Sequence, residues 1–245
     1  MALISYHETD EAWRKFKNTI IQYIQNESAT KICEIGGGAN PVLTPQNLLE
    51  FQLEYTIIDV SKEELDKAPA SYKKIVGDIN SPEIATNNEK YDLVFSKMLA
   101  EHIKNGKQFH ENILELLADN GIAIHFFPTL YTFPFFINRL TPEAFTQKLL
   151  SYFDPRNNYK YAKFPAYYSW CRGPVPSQIK KFEDLGYTII EYRGFFGHSG
   201  YYKRLPFFRK IHETKTKYLL KNPNPFFTSY AYLIMKKGVK NDGSE

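Results

Sequence analysis

Hydrophobic and polar residues follow two different periods along this chain. Trp13, Phe16, Ile20, Tyr23 and Ile24 recur at helical spacing with polar residues between them, which predicts an amphipathic helix ahead of the main fold. Short apolar runs then alternate with helical patterns, which favours a doubly wound α/β fold with a parallel sheet. The runs predicted as strands are KICEIG, EYTIIDVS, KKIVGDI, YDLVFS and GIAIHFF, followed at a distance by TIIEYRGFF and SYAYLIMKK.

The segments between these strands predict helices over 44–51, KEELDKA and 106–117. After the fifth strand, residues from about 128 to 180 are rich in Tyr, Phe and Pro and are too many for a simple crossover. We expect a helical cap there, ending in a helix over 177–185. The chain thus divides into an N-terminal helical segment (1–30), a main domain (31–240) carrying the cap, and a tail (241–245).

Composition adds that the chain is an ordinary globular protein, with 43% hydrophobic and 24% charged residues. Cys33 and Cys171 stand alone, without the Cys/His clusters of zinc sites or the pairs of a disulfide framework. Unpaired thiols are typical of reducing compartments, so we expect a cytoplasmic protein. The longest uncharged run, 120–138, is interrupted by prolines and polar residues, so no transmembrane segment is expected.

A glycine-rich turn follows the first buried strand, in the run from Glu34 through Gly36, Gly38 and Asn40 to Pro41. Glycines let the backbone turn tightly and let a ligand approach its N–H groups. Pro41 stands where a dinucleotide-binding turn needs its third glycine, which counts against NAD or FAD. The lysine and Ser/Thr of a phosphate-binding loop are also missing.

Two acids end the next two strands. Asp59 could accept hydrogen bonds from ribose hydroxyls at the strand tip. Asp78 could accept from an adenine amino group while Ile79 packs on the ring face. The structural alternatives are that Asp59 is the N-cap of the next helix and that Asp78 caps a turn.

Taken in order, EIGGGANP, IIDVS, VGDI, YDLVFSKMLAEH and ADNGIAIHFFP resemble a class I S-adenosylmethionine-dependent methyltransferase over residues 31–128. The resemblance implies a Rossmann-like sheet of seven strands with the last strand inserted antiparallel, and S-adenosyl-L-methionine as the cofactor. It implies these cofactor-binding residues: Glu34 near the methionine amino group, Gly36, Gly38 and Asn40 in the turn, Asp59 on the ribose, Asp78 and Ile79 on the adenine, and Ser96 at the methyl end.

The residues after the fourth strand bear on the methyl acceptor. Ser96-Lys97-Met98-Leu99 replaces the Asn/Asp-Pro-Pro-aromatic motif of methylases that act on nucleic-acid amino groups. It also lacks the acid that metal-dependent catechol-type enzymes need, so no metal is expected. We therefore expect O-methylation of a small molecule or glycan, with nucleic acid disfavoured as a partner.

Three residues are candidates for catalysis. Glu101-His102 resembles a pair common in small-molecule members of the family, and His102 is a candidate general base because imidazole titrates near neutral pH. His125 lies near the end of the fifth strand, and Tyr131 belongs to the aromatic cluster that follows. Each has a structural alternative without a role in catalysis. His102 packs or caps at the start of the next helix, His125 is a core histidine, and the aromatic residues are the core of the cap. His198, on a glycine-flanked loop, is either part of a substrate lid or part of a simple turn.

Charge is unevenly distributed within the net charge of +4. Between Lys203 and Lys240 there are ten Lys and Arg residues and one acid, Glu213. Such a stretch could be a solvated face or could contact an anionic membrane surface. Alternatively, the chain is an RNA or protein methyltransferase that binds its acceptor through this stretch. A homologue that binds the cofactor without turnover is a further alternative.

Overall fold

A computed structural model describes residues 2–87, 89–130, 165–202 and 205–238. In these residues one eight-stranded sheet forms the centre of the molecule. The strands are β1 (Leu3–Glu8), β2 (Lys31–Ile35), β3 (Glu54–Asp59), β4 (Lys73–Val76), β5 (Tyr91–Lys97), β6 (Leu117–Pro128), β7 (Tyr187–Phe196) and β8 (Tyr230–Lys237).

The strand order is β1-β7-β8-β6-β5-β2-β3-β4. β8 lies antiparallel between β6 and β7, and every other pair of neighbours is parallel. The predicted α/β fold with an antiparallel last strand is therefore confirmed. The chain runs outward from β2 in one direction and from β5 in the other, so the topological switch point lies between β2 and β5, where ligands of such sheets bind.

The sheet has one strand more than the sequence predicts. β1 pairs in parallel with β7, from Leu3 opposite Glu191 to Glu8 opposite Phe196. The ring of Tyr6 stacks on Phe196 at 5.3 Å, and a Cβ on Gly194 would lie 2.9 Å from the Tyr6 ring. The residues ahead of β2 thus belong to the same sheet as the main fold.

The described helices are α1 (Thr9–Asn26), α2 (Pro45–Phe51), α3 (Lys62–Lys67), α4 (Gly106–Leu116), α5 (Pro176–Asp184) and α6 (Pro206–Lys221). The first five confirm the predicted helical segments. Thr44 caps α2 through a reciprocal capping box with Asn47, and Asn105 accepts from the Gln108 N–H at the start of α4. The sequence pattern did not predict α6, which lies in the basic stretch.

Helices cover both faces of the sheet. On one face Phe16 of α1 packs against Phe95, Phe126 and Tyr232 with ring centroids 5.3–6.3 Å apart. On the other face His110 of α4 contacts His125 and Phe182. Phe16, Ile20 and Ile24 are buried as the helical pattern predicts, whereas Trp13 is 45% exposed. None of the described helices is long and apolar enough to cross a membrane.

Most of the expected cap, including Tyr131, lies outside the described residues. Its two described flanks meet, because the Leu130 N–H donates to the Cys171 carbonyl at 3.2 Å. The N–H groups of Tyr167 and Tyr168 both donate to the Glu101 carbonyl. The described C-terminal part of the expected cap therefore returns to the carboxyl edge of the sheet.

Candidate functional site

Strand register brings the candidate residues to one edge of the sheet. Ile35 lies opposite Ser96, Ser96 lies opposite His125, and Asp59 lies opposite Val76. The glycine turn after β2, the carboxylate at the tip of β3 and the polar residues near the ends of β5 and β6 therefore share the carboxyl edge. This edge includes the switch point, where the sequence predicts the ligand.

The glycine turn needs its glycines for conformation and for space. Gly36 and Gly38 have φ angles of +75° and +43°, in the left-handed region that favours glycine. A Cβ on Gly38 would lie 3.1 Å from Asp59 Oδ2. The turn is closed by hydrogen bonds from the Gly36 N–H to the Ile58 carbonyl and from the Asn40 N–H to the Gly37 carbonyl. Its backbone is thus held against the tip of β3.

Glu34 supports the turn from inside. Its carboxyl group is buried and accepts hydrogen bonds from the Val42 N–H at 2.9 Å and from the Tyr55 hydroxyl. Burial raises the pKa of Glu34 to about 7, and these two hydrogen bonds oppose the shift. The sequence pattern identified Glu34 but not Val42 or Tyr55, because these partners lie on other elements.

Asp59 and Asp78 occupy different environments. Asp59 Oδ1 accepts from the Ser61 N–H at 2.9 Å, which leaves Oδ2 beside Gly38 for a ligand. The N-cap of α3 is Ser61, whose hydroxyl accepts from the Glu64 N–H. Asp78 is exposed and accepts from the Asn80 N–H at 2.8 Å. This contact is the one expected if Asp78 caps a turn.

Ile79 is buried beside Asp78, and its backbone is fixed by a residue the sequence analysis did not single out. The Asn112 side-chain amide on α4 donates to the carbonyls of Ile79 and Ser81 at 2.7 and 3.0 Å. A buried amide that bridges two loop carbonyls holds the loop after β4 in one conformation. Asn112 is a candidate positioning residue for this side of the site.

Ser96 and His125 form a buried pair on neighbouring strands, with the serine Oγ 2.8 Å from His125 Nδ1. His125 packs among Phe109 and His110, and burial lowers its pKa to about 3. Its ring is therefore neutral at physiological pH. His125 Nε2 and His110 Nδ1 are buried without a hydrogen-bond partner within the described residues.

Glu101 and His102 lie in the loop after β5, two and three residues beyond Leu99. A Cβ on Gly36 would lie 2.9 Å from the Leu99 side chain, so this loop touches the glycine turn. Glu101 is buried and its Oε2 has no partner among the described atoms. Burial raises the pKa of Glu101 to about 8. His102 Nε2 lies 3.7 Å from Glu101 Oε1.

The backbone fixes the tautomer of neutral His102. Its Nδ1 lies 3.0 Å from the Pro165 carbonyl oxygen, which can only accept, so the proton is on Nδ1. In the neutral ring Nε2 then carries the lone pair. The imidazole is one-third exposed, unlike that of His125. His102 is thus oriented as a proton acceptor at the carboxyl edge.

Two further groups lie at this edge. His198 Nδ1 is 2.9 Å from Ser229 Oγ, and the His198 N–H donates to His212 Nε2. Burial lowers the pKa of His198 to about 3. Lys97 Nζ lies 5.6 Å from the centre of the half-exposed Trp13 ring. Trp13 belongs to the apolar pattern of the predicted amphipathic helix, and that pattern does not indicate its position at this edge.

A family model described as a methyltransferase domain matches residues 6–168, which is more than half of the chain. The chain belongs to this methyltransferase family. The expected enzyme class, a class I S-adenosylmethionine-dependent methyltransferase, is thereby confirmed. The match begins in β1 and ends in the segment beside Glu101.

Individual relatives agree with this assignment. The methyltransferase is 27% identical over 184 residues to a ubiquinone biosynthesis O-methyltransferase from Rickettsia canadensis, covering 71% of this chain and 70% of that one. It is similar in structure to an S-adenosylmethionine-dependent methyltransferase from Clostridium acetobutylicum, with 13% identity, 92% of both chains covered and a TM-score of 0.55. The N-methyltransferase NodS of Bradyrhizobium japonicum, solved with S-adenosyl-L-homocysteine, matches at 11% identity and a TM-score of 0.52, over 92% of this chain and 87% of that one. At these identities the structural similarity supports the fold alone.

The residues of the carboxyl edge fit S-adenosylmethionine as the cofactor. A Cβ at Gly38 would fill the space beside Asp59 Oδ2, so the glycine leaves the carboxylate accessible from the turn. Asp59 and Asp78 supply acceptors for hydroxyl and amino groups, and Ile79, which follows Asp78, supplies an apolar side chain. This donor set matches a nucleoside with a polar tail, which is the chemistry of the cofactor.

Proposed function

We propose that this methyltransferase transfers the methyl group to a hydroxyl oxygen of a small molecule or glycan. The observation that carries the proposal is the Glu101–His102 pair, which lies in the loop that contacts the glycine turn through Leu99 and has a proton-accepting nitrogen oriented by the Pro165 carbonyl. A hydroxyl is a poor nucleophile until a base removes its proton, whereas a neutral amine needs no such base. The O-methyltransferase name of the Rickettsia relative supports the same reaction.

His102 acts as the general base in this proposal. The acceptor hydroxyl gives its proton to His102 Nε2 as its oxygen forms the bond to the methyl carbon. The cofactor, when bound, supplies the methyl group from its sulfonium centre. The imidazolium that results lies 3.7 Å from Glu101 Oε1, and its positive charge favours the ionised form of this carboxyl group against the burial that raises its pKa.

The remaining site residues bind the cofactor and position its methyl group. Asp59 accepts from the ribose hydroxyls, Asp78 from the adenine amino group, and Ile79 packs on the adenine. Glu34, Gly36, Gly38 and Asn40 shape the turn that holds the methionine end. Ser96 lines the methyl end, and His125 positions Ser96 from the core. Tyr131 remains a candidate wall of the acceptor pocket.

Isothermal titration with S-adenosyl-L-homocysteine tests the donor half of the proposal. We expect Asp59→Ala to weaken binding about 10- to 100-fold, since a hydrogen bond to a charged group contributes about 1.5–3 kcal/mol. Asp66→Ala is the matched control, because Asp66 is an exposed aspartate on α3 that pairs with Lys62. Equal affinities of the two variants would contradict the assignment of Asp59.

Radiolabelled S-adenosylmethionine tests the acceptor half. The protein is incubated with an extract of the cells that encode it, which is then separated into small molecules, glycans, RNA and protein. We expect the radiolabel in the small-molecule or glycan fraction. A parallel incubation with S-adenosylmethionine carrying a ¹³C-methyl group should give a chemical shift typical of a methyl ether or ester. Label in RNA or protein would establish the alternative acceptor. Tight binding of S-adenosyl-L-homocysteine without label in any fraction would indicate a homologue that binds the cofactor without turnover.

A further inference from the structure

α6 presents an apolar stripe to solvent. Phe207, Ile211 and Tyr218 are 71%, 52% and 64% exposed, and their spacing of four and seven residues places them on one side of the helix. The opposite side of α6 faces the protein, where Leu219 is buried and His212 accepts from the His198 N–H. We call these three residues the α6 stripe.

The segment after α6 extends the stripe. Phe226 and Phe227 are 57% and 46% exposed in the 3₁₀ turn Pro225–Phe227. Lys215 Nζ lies 4.5 Å from the centre of the Phe227 ring, so this turn folds back beside α6. Phe208 is also more than half exposed. Clustered exposed aromatic side chains of this kind mark an interaction surface.

Basic residues border the stripe. Lys210, Lys217 and Lys221 are exposed along one flank of α6, and Lys215 lies on the other. The acid of this helix, Glu213, is paired with Arg209 at 2.7 Å. An apolar stripe bordered by lysines is the pattern of a helix that lies in the plane of a bilayer surface, with its rings among the acyl chains and its cations at anionic headgroups.

The connection that carries the α6 stripe ends at the carboxyl edge of the sheet. α6 and the 3₁₀ turn connect β7 to β8, and antiparallel β8 begins at the carboxyl edge. There the Thr129 N–H donates to the Ser229 carbonyl at 2.9 Å, which joins the end of β6 to the end of this connection. A bilayer that binds this connection therefore lies close to the carboxyl edge of the sheet.

We propose that the α6 stripe and its lysines dock this methyltransferase on an anionic lipid bilayer. Docking presents the carboxyl edge to an acceptor carried at the membrane surface. The positive charge of the flanks favours anionic over zwitterionic lipid, because each lysine is attracted to the negative surface potential of such a bilayer. The docking surface lies outside the donor-binding residues, so it is separable from methyl transfer.

Vesicle sedimentation tests this inference on the full chain. Vesicles of phosphatidylcholine alone are compared with vesicles that also contain phosphatidylglycerol, at low and high salt. We expect binding to the anionic vesicles, weakened by salt. F207S/I211S and K210E/K217E should each lower the partition coefficient about tenfold or more, the first by removing apolar anchors and the second by reversing two charges.

Leu49→Ser is the matched control, because Leu49 is 76% exposed on α2, away from the stripe. It should bind vesicles like the wild type, and all variants should keep their S-adenosyl-L-homocysteine affinity as proof of folding. Equal partition coefficients for all variants would overturn the proposal. Wild-type protein that does not bind anionic vesicles would overturn it as well. Salt-sensitive RNA binding or self-association that F207S/I211S abolishes, without vesicle binding, would assign the surface to another partner.

Discussion

At the scale of single residues, the orientation of His102 is the feature with the most direct consequence for catalysis. Its Nδ1 is committed to the Pro165 carbonyl, so proton transfer is confined to Nε2. We expect His102→Ala to lower kcat about 100-fold, the range of a lost general base, with little change in S-adenosyl-L-homocysteine affinity. The measurement is methyl transfer to the labelled acceptor fraction alongside titration calorimetry.

His7→Ala provides the control for that experiment, because His7 is a partly exposed histidine on β1. It should leave kcat unchanged. A His102 variant with wild-type kcat would rule out the general base. A variant that loses cofactor affinity in proportion to kcat would show that the ring holds the loop in place instead.

The same scale shows what a sequence can and cannot predict about a site. Glu34, Asp59 and Asp78 were identifiable because each lies near the end of a short run that the sequence predicts as a strand, and parallel strands bring such ends to one edge. The hydrogen bond between Glu34 and Tyr55 was not identifiable, because it depends on the register of β2 against β3. Asn112 was missed for a similar reason, since a helix residue reaches a loop carbonyl only after packing.

At the scale of elements, two were absent from the sequence prediction. α6 places most of its large apolar residues in solvent, so it does not follow the pattern in which apolar residues indicate a buried face. β1 is a short edge strand whose Leu3 and Ile4 are exposed. Its position is set by pairing with β7, which follows about 180 residues later, and no local pattern reports such a contact.

The attachment of β1 depends on Tyr6. Its ring stacks on Phe196 at an interplanar angle of 7° and covers Gly194, where no side chain intervenes. We expect Tyr6→Ala to lower the free energy of unfolding by about 1–3 kcal/mol, since it removes an aromatic pair and its buried area. Thermal unfolding should show this as a fall of several degrees.

Tyr218→Ala serves as the comparison for the Tyr6 variant, because Tyr218 is 64% exposed on α6. An exposed ring contributes little to stability, so its melting temperature should match the wild type within about a degree. Equal losses in the two variants would mean that β1 does not depend on the stacked pair.

At the scale of the whole molecule, buried titratable groups set how stability depends on pH. Burial raises the pKa of Glu34 to about 7 and that of Glu101 to about 8, from an ordinary value of 4.5. Their contribution to stability is complete below pH 4.5 and is lost as pH rises through 7 and 8. Burial lowers the pKa of His125 and His198 to about 3, from 6.5. Their contribution is complete above pH 6.5 and is lost as pH falls toward 3.

These two sets of groups oppose each other between pH 4.5 and 6.5, where the histidines prevail because burial also lowers the pKa of His110 and His212. Of these six groups, only the two glutamates still change their protonation above pH 6.5. We therefore expect maximal stability near pH 6.5 and a loss of roughly 2–3 kcal/mol by pH 8, at 1.36 kcal/mol for each pKa unit. In thermal unfolding of the cofactor-free protein this is a fall of about 5 °C or more.

The double variant E34Q/E101Q separates this effect from the net charge of the molecule. Its side chains stay neutral when buried, so its melting temperature should be nearly constant from pH 6.5 to pH 8, whatever its absolute value. Glu50→Gln removes one exposed carboxyl group on α2 and should keep the wild-type decline. A wild-type protein with constant stability over this range would show that the two buried acids are not neutral at pH 6.5. A decline that persists in the double variant would place its origin in other groups.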